Sequence, residues 1–447
     1  MNTVSSGSER IDTCLTTGRA PVTLLVAIAL VYGGFNVGRS LVGPGRGLDF
    51  AQYYVAGRCV LAGEPRTMYD TGTLYQLRAA ASGVVGFKND DGSVREVMTY
   101  AYPPTVAYLA VPLALLPYRL AGYVFALASL AALALGVLLL SANRETGRRR
   151  TLVRAGLMAA IMFAPVHQTL GLGQINCVVF LCCALGLYFA RRNSVWPAGL
   201  FIALAIHIKL FPLVLLPFFV VRRQFRLLGT SLLLTALLAG LTAAVGGIDL
   251  YRLFFGRVLP SQYFAGAYFR NQGFEGFFSR LLTHNNYVHS LGHNPVAAHV
   301  AALIAGLVVV AFTYFVLWRY RSKELLQYDL GYGMCLAAAL LFQAKSYEHH
   351  AVLLLFSFLF TFEALTYYGT NRQWLLTTVC LSFAVWSFLL TLESEYLKLP
   401  KSVIMNALFS AKFFATLALW VVGVYLVAVV RPLVASKPPT TRAQAVS

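Results

Sequence analysis

Apolar runs, many long enough to cross roughly 30 Å of hydrocarbon, recur along most of the chain and are separated by short basic loops. They fall near residues 22–37, 103–117, 120–141, 152–170, 174–190, 195–208, 210–221, 226–245, 296–318, 328–344, 349–368, 374–392 and 405–430. Several are short or broken by proline, so the pattern predicts about 11 to 13 spans in an all-α polytopic membrane protein. Residues 22–430 read as a single transmembrane domain between tails at 1–21 and 431–447, both expected on the cytoplasmic side, the second (SKPPTTRAQAVS at its end) disordered. Two polar stretches interrupt the helices, at residues 46–100 and 247–295. In the first, the pattern around Tyr53–Leu61 and Thr73–Ala81 predicts short amphipathic helices lying on the bilayer. Loops of this length inside a compact protein are usually functional.

Composition agrees with the pattern. Of the 447 residues 58% are hydrophobic and only 12% charged, about half the charged fraction of soluble domains. The net charge of +19 would fit a nucleic-acid partner if it formed one patch, but it is distributed over inter-helix loops. Arg148–Arg150, Arg191–Arg192, Arg222, Arg223 and Arg226, and Arg319, Arg321 and Lys323 mark cytoplasmic loops by the positive-inside rule. Counting from those loops places residues 246–295, the Lys345–His350 turn, the Glu393–Lys401 turn and Asp49 on the outer face. The count closes only if the 103–117 segment is re-entrant or peripheral. No small-residue cleavage site cleanly follows the first apolar run, so that helix is expected to stay as an anchor. Seven scattered cysteines give neither a disulfide framework nor a CxxC metal site, and Cys182 and Cys183 read as apolar packing.

Candidate chemistry begins with Asp49, in LDFAQYYVAGRCVLAG just past the Gly-rich GPGRG that should end the first helix. A carboxylate at a membrane boundary is a functional candidate; it is also a favoured helix N-cap, a purely structural role. Lys209 lies inside ALAIHIKLFPLVLLP, where a charge costs a few kcal/mol unless paired or wetted, or snorkels to the interface. His349 and His350 start a helix about 100° apart, so one of them faces any cavity, and they lack the i, i+4 spacing of a helical metal pair. Tyr102-Pro103-Pro104 cannot start a regular helix before Pro104 and reads as a rigid turn. Gln174 and Asn176, in GQIN, line a cavity or satisfy backbone groups within the membrane. There is no Walker loop, no GxGxxG followed by an acid and no DxD; Asp90-Asp91 and Glu393-Ser394-Glu395 read as solvated loop acids.

Taken in order, DFAQYYVAGRCVLAG, MYD, AYPPTVAYLAVPLALLP, GQINCVVF, AGLFIALAIHIKLFPLVLLP, NQGFEGFFSRLL and KSYEHHAVLLL resemble glycosyltransferase family 87 over about residues 22–370. The resemblance implies a GT-C-type membrane enzyme that takes a sugar, chiefly mannose, from a polyprenyl phosphate carrier. It implies an inverting single displacement with Asp49 as general base, a role worth roughly 10²- to 10⁴-fold, and no covalent intermediate. His349 or His350 would orient the acceptor or meet the departing phosphate. Arg58, Lys209, Arg270, Arg280 and Lys345 are the cations available for that phosphate, and Asn271 and Gln272 offer hydrogen bonds to sugar hydroxyls. Tyr53, Tyr54, Tyr102, Gln174, Asn176 and Glu348 would line the cavity. Neither a cofactor nor a divalent metal is expected.

The expected location is a bacterial-type inner membrane with the site on its outer face, surrounded by membrane lipids, with a glycolipid, glycan or protein as acceptor. A secondary transporter with its site at His207 and Lys209 is the main rival, weakened by the lack of an internal repeat. A non-catalytic lipid-binding subunit is the other.

Overall fold

The computed structural model describes residues 27, 30–40, 47–70, 73–81, 87–88, 94–95, 98, 100–263, 266–367, 373–389 and 402–435. The 1–21 tail, Asp90-Asp91, the 393–401 turn and residues 436–447 lie outside the described residues.

The chain is an all-α polytopic membrane protein. Among the described residues, six helices are long and apolar enough to span: Tyr118–Leu140, Phe225–Gly246, Pro295–Arg319, Leu325–Phe342, Glu348–Thr366 and Ala411–Val429. Thr146–Met162 and Ala164–Leu172 form a seventh if taken together, bent by 58°. Asn176–Arg191, Val195–Ile208, Phe211–Val221 and Gln373–Phe388 are apolar but shorter, so several of the expected spans are fragments. Two-residue strands, Phe87–Lys88 and Val94–Arg95, pair antiparallel in the first loop.

Proline explains two of the breaks. A proline removes the hydrogen bond to the carbonyl four residues before it and its ring clashes there. Pro165 thereby frees the Ile161 carbonyl, which accepts from His167 Nε2 at 2.6 Å. Pro212 bears in the same way on Ile208, where the Val195–Ile208 helix ends, and Lys209 falls into the gap with an extended backbone. The 103–117 segment forms only two short helices, Pro104–Leu109 and Val111–Ala114, each with proline in its first turn. Neither can cross a bilayer.

One expectation is corrected. Phe50–Leu61 is not an amphipathic helix with one free face: its Phe50–Gly57 stretch and Cys59 are buried in the protein. It inserts against Val111–Ala114 so closely that a Cβ on Gly57 would sit 2.9 Å from Ala114 Cβ.

The Tyr118–Leu140 helix begins beside Phe50, with ring centroids of Tyr118 and Phe50 5.8 Å apart, and its 23 residues rise about 34 Å. At its far end Arg144 and Arg191 meet Asp329, at 2.5 and 2.7 Å, and Arg144 and Arg148 meet Glu363, at 2.8 and 2.6 Å. Asp329 and Glu363 are fully buried. Arg222 donates to the Ser322 and Gln327 carbonyls, 2.9 Å each. The basic loops therefore gather at the end opposite Asp49, and several of their arginines, read from the sequence as topological signals, are internal ion-pair partners.

Candidate active site

Asp49 precedes the Phe50–Leu61 helix but does not cap it: its side chain makes no cap hydrogen bond. Only 7% exposed, its carboxylate accepts from Gln52 Nε2 at 3.0 Å and Gln174 Nε2 at 2.6 Å. Its backbone N–H donates to the Leu172 carbonyl at 2.9 Å, and that of Gly47 to Gly171 at 3.0 Å, which stitches the 47–50 turn to the GLGQIN turn. Gly173 makes this possible. Its φ is +68°, and a Cβ there would lie 2.6 Å from Phe50 Cβ.

Gln174 is the centre of the cluster. While its amide N–H₂ serves Asp49, its Oε1 accepts from Tyr102 Oη at 3.0 Å, Tyr53 Oη at 3.1 Å and Lys209 Nζ at 3.5 Å. The Tyr53 and Tyr102 rings meet edge to face at 4.8 Å, and the Lys209 ammonium sits 5.6 Å from the centroid of Tyr102. Lys209 thus neither snorkels nor pairs directly with a carboxylate. Tyr54 lies outside the cluster, donating to the Leu116 carbonyl at 2.8 Å.

His349 and His350 form a second group, rings at right angles with centroids 4.5 Å apart. Tyr347 is near both, 5.9 and 6.2 Å away. The His349 carbonyl accepts from Thr169 Oγ1 at 3.1 Å and Asn176 Nδ2 at 2.9 Å, so Asn176 holds the histidine turn in place. Gln343 Nε2 donates to His350 Nδ1 at 3.1 Å. Burial, reinforced by the neighbouring Tyr268, Tyr287 and Asp49, pushes the Tyr347 phenol up to about 12, and burial lowers the Lys345 ammonium from its usual range.

Other candidates are held by structural partners. Asn271 clamps the 343–347 turn, donating to the Ala344 carbonyl at 2.8 Å and accepting from Ser346 N at 3.1 Å. Gln272 donates to the Phe269 and Phe409 carbonyls, both at 2.7 Å, and accepts from Phe413 N at 2.9 Å. Arg280 is fully buried and donates to Asn406 Oδ1, Ser410 Oγ and the Tyr268 and Asn271 carbonyls. Its acceptors are all neutral, and burial pulls its guanidinium down from its ordinary range. Glu348 pairs with Lys412 and accepts from Gln168. Arg58 reaches the Ala114 carbonyl at 3.4 Å, and Arg270 lies over the Phe269 ring, 5.5 Å from its centroid.

His207 is spoken for, its Nε2 donating to the Thr235 carbonyl and its Nδ1 meeting the Thr105 hydroxyl, both at 2.9 Å. Its hydrogen-bond partners are thus distinct from those of Lys209, which meets Gln174. The sequence pattern marks neither Gln52 nor Lys412. Lys412 had a signal, a lone cation near the start of the last apolar run.

Residues 100–345, more than half of the chain, match the family described as glycosyltransferase family 87. The chain belongs to glycosyltransferase family 87. The family match takes in Gln174, Lys209 and the second loop, while Asp49, His349 and His350 lie beyond its limits. A polyprenol-phosphate-mannose-dependent alpha-(1-2)-phosphatidylinositol pentamannoside mannosyltransferase of Mycobacterium tuberculosis is 28% identical over 221 residues, covering 48% of this chain and 49% of that protein. A polyprenol-phosphate-mannose-dependent alpha-(1-2)-phosphatidylinositol mannoside mannosyltransferase of Mycolicibacterium smegmatis is 26% identical over 212 residues, covering 44% and 43%. The chain thus spans about half the length of the curated relatives it matches. No solved structure is a significant match.

Proposed function

We propose that this member of glycosyltransferase family 87 is a membrane mannosyltransferase that moves mannose from a polyprenyl phosphate to an acceptor hydroxyl, the acceptor being a glycolipid of the phosphatidylinositol mannoside kind. Donor and acceptor follow the names of the relatives; the chemistry follows the site. The observation that carries it is a buried carboxylate, Asp49, fixed by two amide donors next to a buried ammonium, Lys209.

The acceptor oxygen attacks the anomeric carbon as the bond from that carbon to the phosphate oxygen breaks. The proton of the hydroxyl passes to Asp49, and the electron pair of the broken bond leaves on the polyprenyl phosphate. Negative charge grows on the phosphate, and a cation preplaced in a dry site stabilises it without reorganisation. Lys209 is that cation, with Lys345, Arg58 and Arg270 as further candidates; Arg280, enclosed by neutral groups, contributes field and not contact. His349 or His350 orients the acceptor or receives the phosphate. This scheme uses no metal.

Access for the lipid is supported by an apolar groove of about 350 Å³ lined by Pro103, Ile206, Leu210, Ala239, Ala243 and Phe255, among others. Pro103 and Leu210 adjoin Tyr102 and Lys209, so a prenyl chain in the groove brings its phosphate to the cluster. The basic loops at the opposite end support an extracytoplasmic site. The test is to supply membranes holding the full chain with polyprenyl phosphate [¹⁴C]mannose and phosphatidylinositol mannoside. Acceptor-dependent label in the glycolipid is expected; donor turnover absent with every acceptor, alongside saturable solute flux in proteoliposomes, would overturn the reading.

A further inference from the structure

The proposed chemistry uses one end of the helix bundle and leaves a basic cavity at the other end unassigned. Arg144, Thr146, Arg149, Arg150, Val153 and Arg154 line a pocket of about 340 Å³. Four of the six carry guanidiniums and none is acidic. Arg144 is committed to the buried network with Arg148, Arg191, Asp329 and Glu363, which already holds three guanidiniums against two carboxylates. That network has no negative charge to spare for Arg149, Arg150 and Arg154, which are exposed.

Their position sharpens the imbalance. Arg149 lies in the first turn of the Thr146–Met162 helix, with Arg150 and Arg154 in the turns beyond it, and the N-cap residue, Glu145, makes no side-chain cap bond. A helix N-terminus is itself partially positive, so cations there are unfavourable and an anion relieves both charges at once. Guanidinium forks favour phosphate oxygens, which they bind in pairs. The pocket lies just past the far end of the Tyr118–Leu140 span, about 34 Å of helix rise from the Asp49 end, which is the level of the opposite leaflet surface. Basic pockets at that level suit anionic headgroups, and Val153 in the lining adds an apolar wall.

We propose that this pocket binds the phosphate of an anionic phospholipid headgroup in the leaflet opposite the candidate active site. The test is native mass spectrometry of the full chain in detergent with phosphatidylglycerol or phosphatidylcholine added. The wild-type protein retains phosphatidylglycerol preferentially, and Arg149→Gln/Arg150→Gln/Arg154→Gln lowers that retention by on the order of tenfold. The matched triple Arg223→Gln/Arg226→Gln/Lys323→Gln removes equal charge from other exposed positions and leaves retention near wild type. Equal losses in the two triples, or equal retention of the two lipids by the wild type, would overturn the site. Displacement of phosphatidylglycerol by millimolar inorganic phosphate would assign the pocket to a soluble anion and overturn the lipid.

Discussion

Gln174 is the side chain through which Asp49, Lys209, Tyr53 and Tyr102 are joined, and its two ends are not interchangeable. Its oxygen already takes the two tyrosine hydroxyls and the ammonium, which forces its nitrogen toward Asp49 and fixes where the carboxylate points. Gln174→Leu keeps the volume and deletes the clamp. Transfer should fall in kcat by roughly 10²-fold, as expected of a catalytic group displaced by about 1 Å, with the donor KM changing less; an unchanged kcat in steady-state assays would show that Asp49 needs no such clamp. Asp49 and Lys209 were legible as charges in costly places. The link between them was not, because it runs through Gln174, 125 positions from Asp49 and 35 from Lys209, an amide that composition does not distinguish from any other. Asn271 and Gln272, whose types suit sugar hydroxyls and loop ordering alike, fasten one loop to another.

Among the elements, short pieces matter more than long spans. The GLGQIN turn must approach the 47–50 turn closely enough for its Gly171 and Leu172 carbonyls to accept from Gly47 and Asp49, and only glycine at 173 permits this. Gly173→Ala adds about 1–2 kcal/mol for the left-handed backbone and drives a methyl into Phe50 Cβ. Both lowered thermal stability and reduced transfer are expected, whereas an alanine variant with wild-type melting and rate would contradict this packing. Prolines mark the breaks near residues 165 and 212, including the one that turns Lys209 inward, although residues 152–170 read as a single apolar run. The burial of Phe50–Leu61 was not legible: its apolar residues suit a bilayer surface as well as a protein interior, and only the tertiary packing distinguishes them.

Over the whole molecule, charge is divided between two ends. One holds the Asp49 cluster, the other the arginine network around Asp329 and Glu363, and the long helices join them. The sequence signal for that network was present, two carboxylates inside apolar runs at 328–344 and 349–368, but loop arginines alone are read as topology. Removing one partner of a buried pair strands the other's charge at about 3–5 kcal/mol. Asp329→Ala, which strands Arg191 and leaves Arg144 with Glu363 alone, should therefore lower the unfolding midpoint markedly in detergent, and a midpoint equal to wild type would show that the network is wetted. The family supplies the kind of reaction, while Asp49 lies outside the matched residues and rests on the geometry of the site. The direct measurement is transfer of labelled mannose from polyprenyl phosphate by an Asp49→Asn variant with wild-type thermal stability. A loss of roughly 10²- to 10⁴-fold in kcat is predicted, and transfer at the wild-type rate would contradict a proton-accepting role for Asp49.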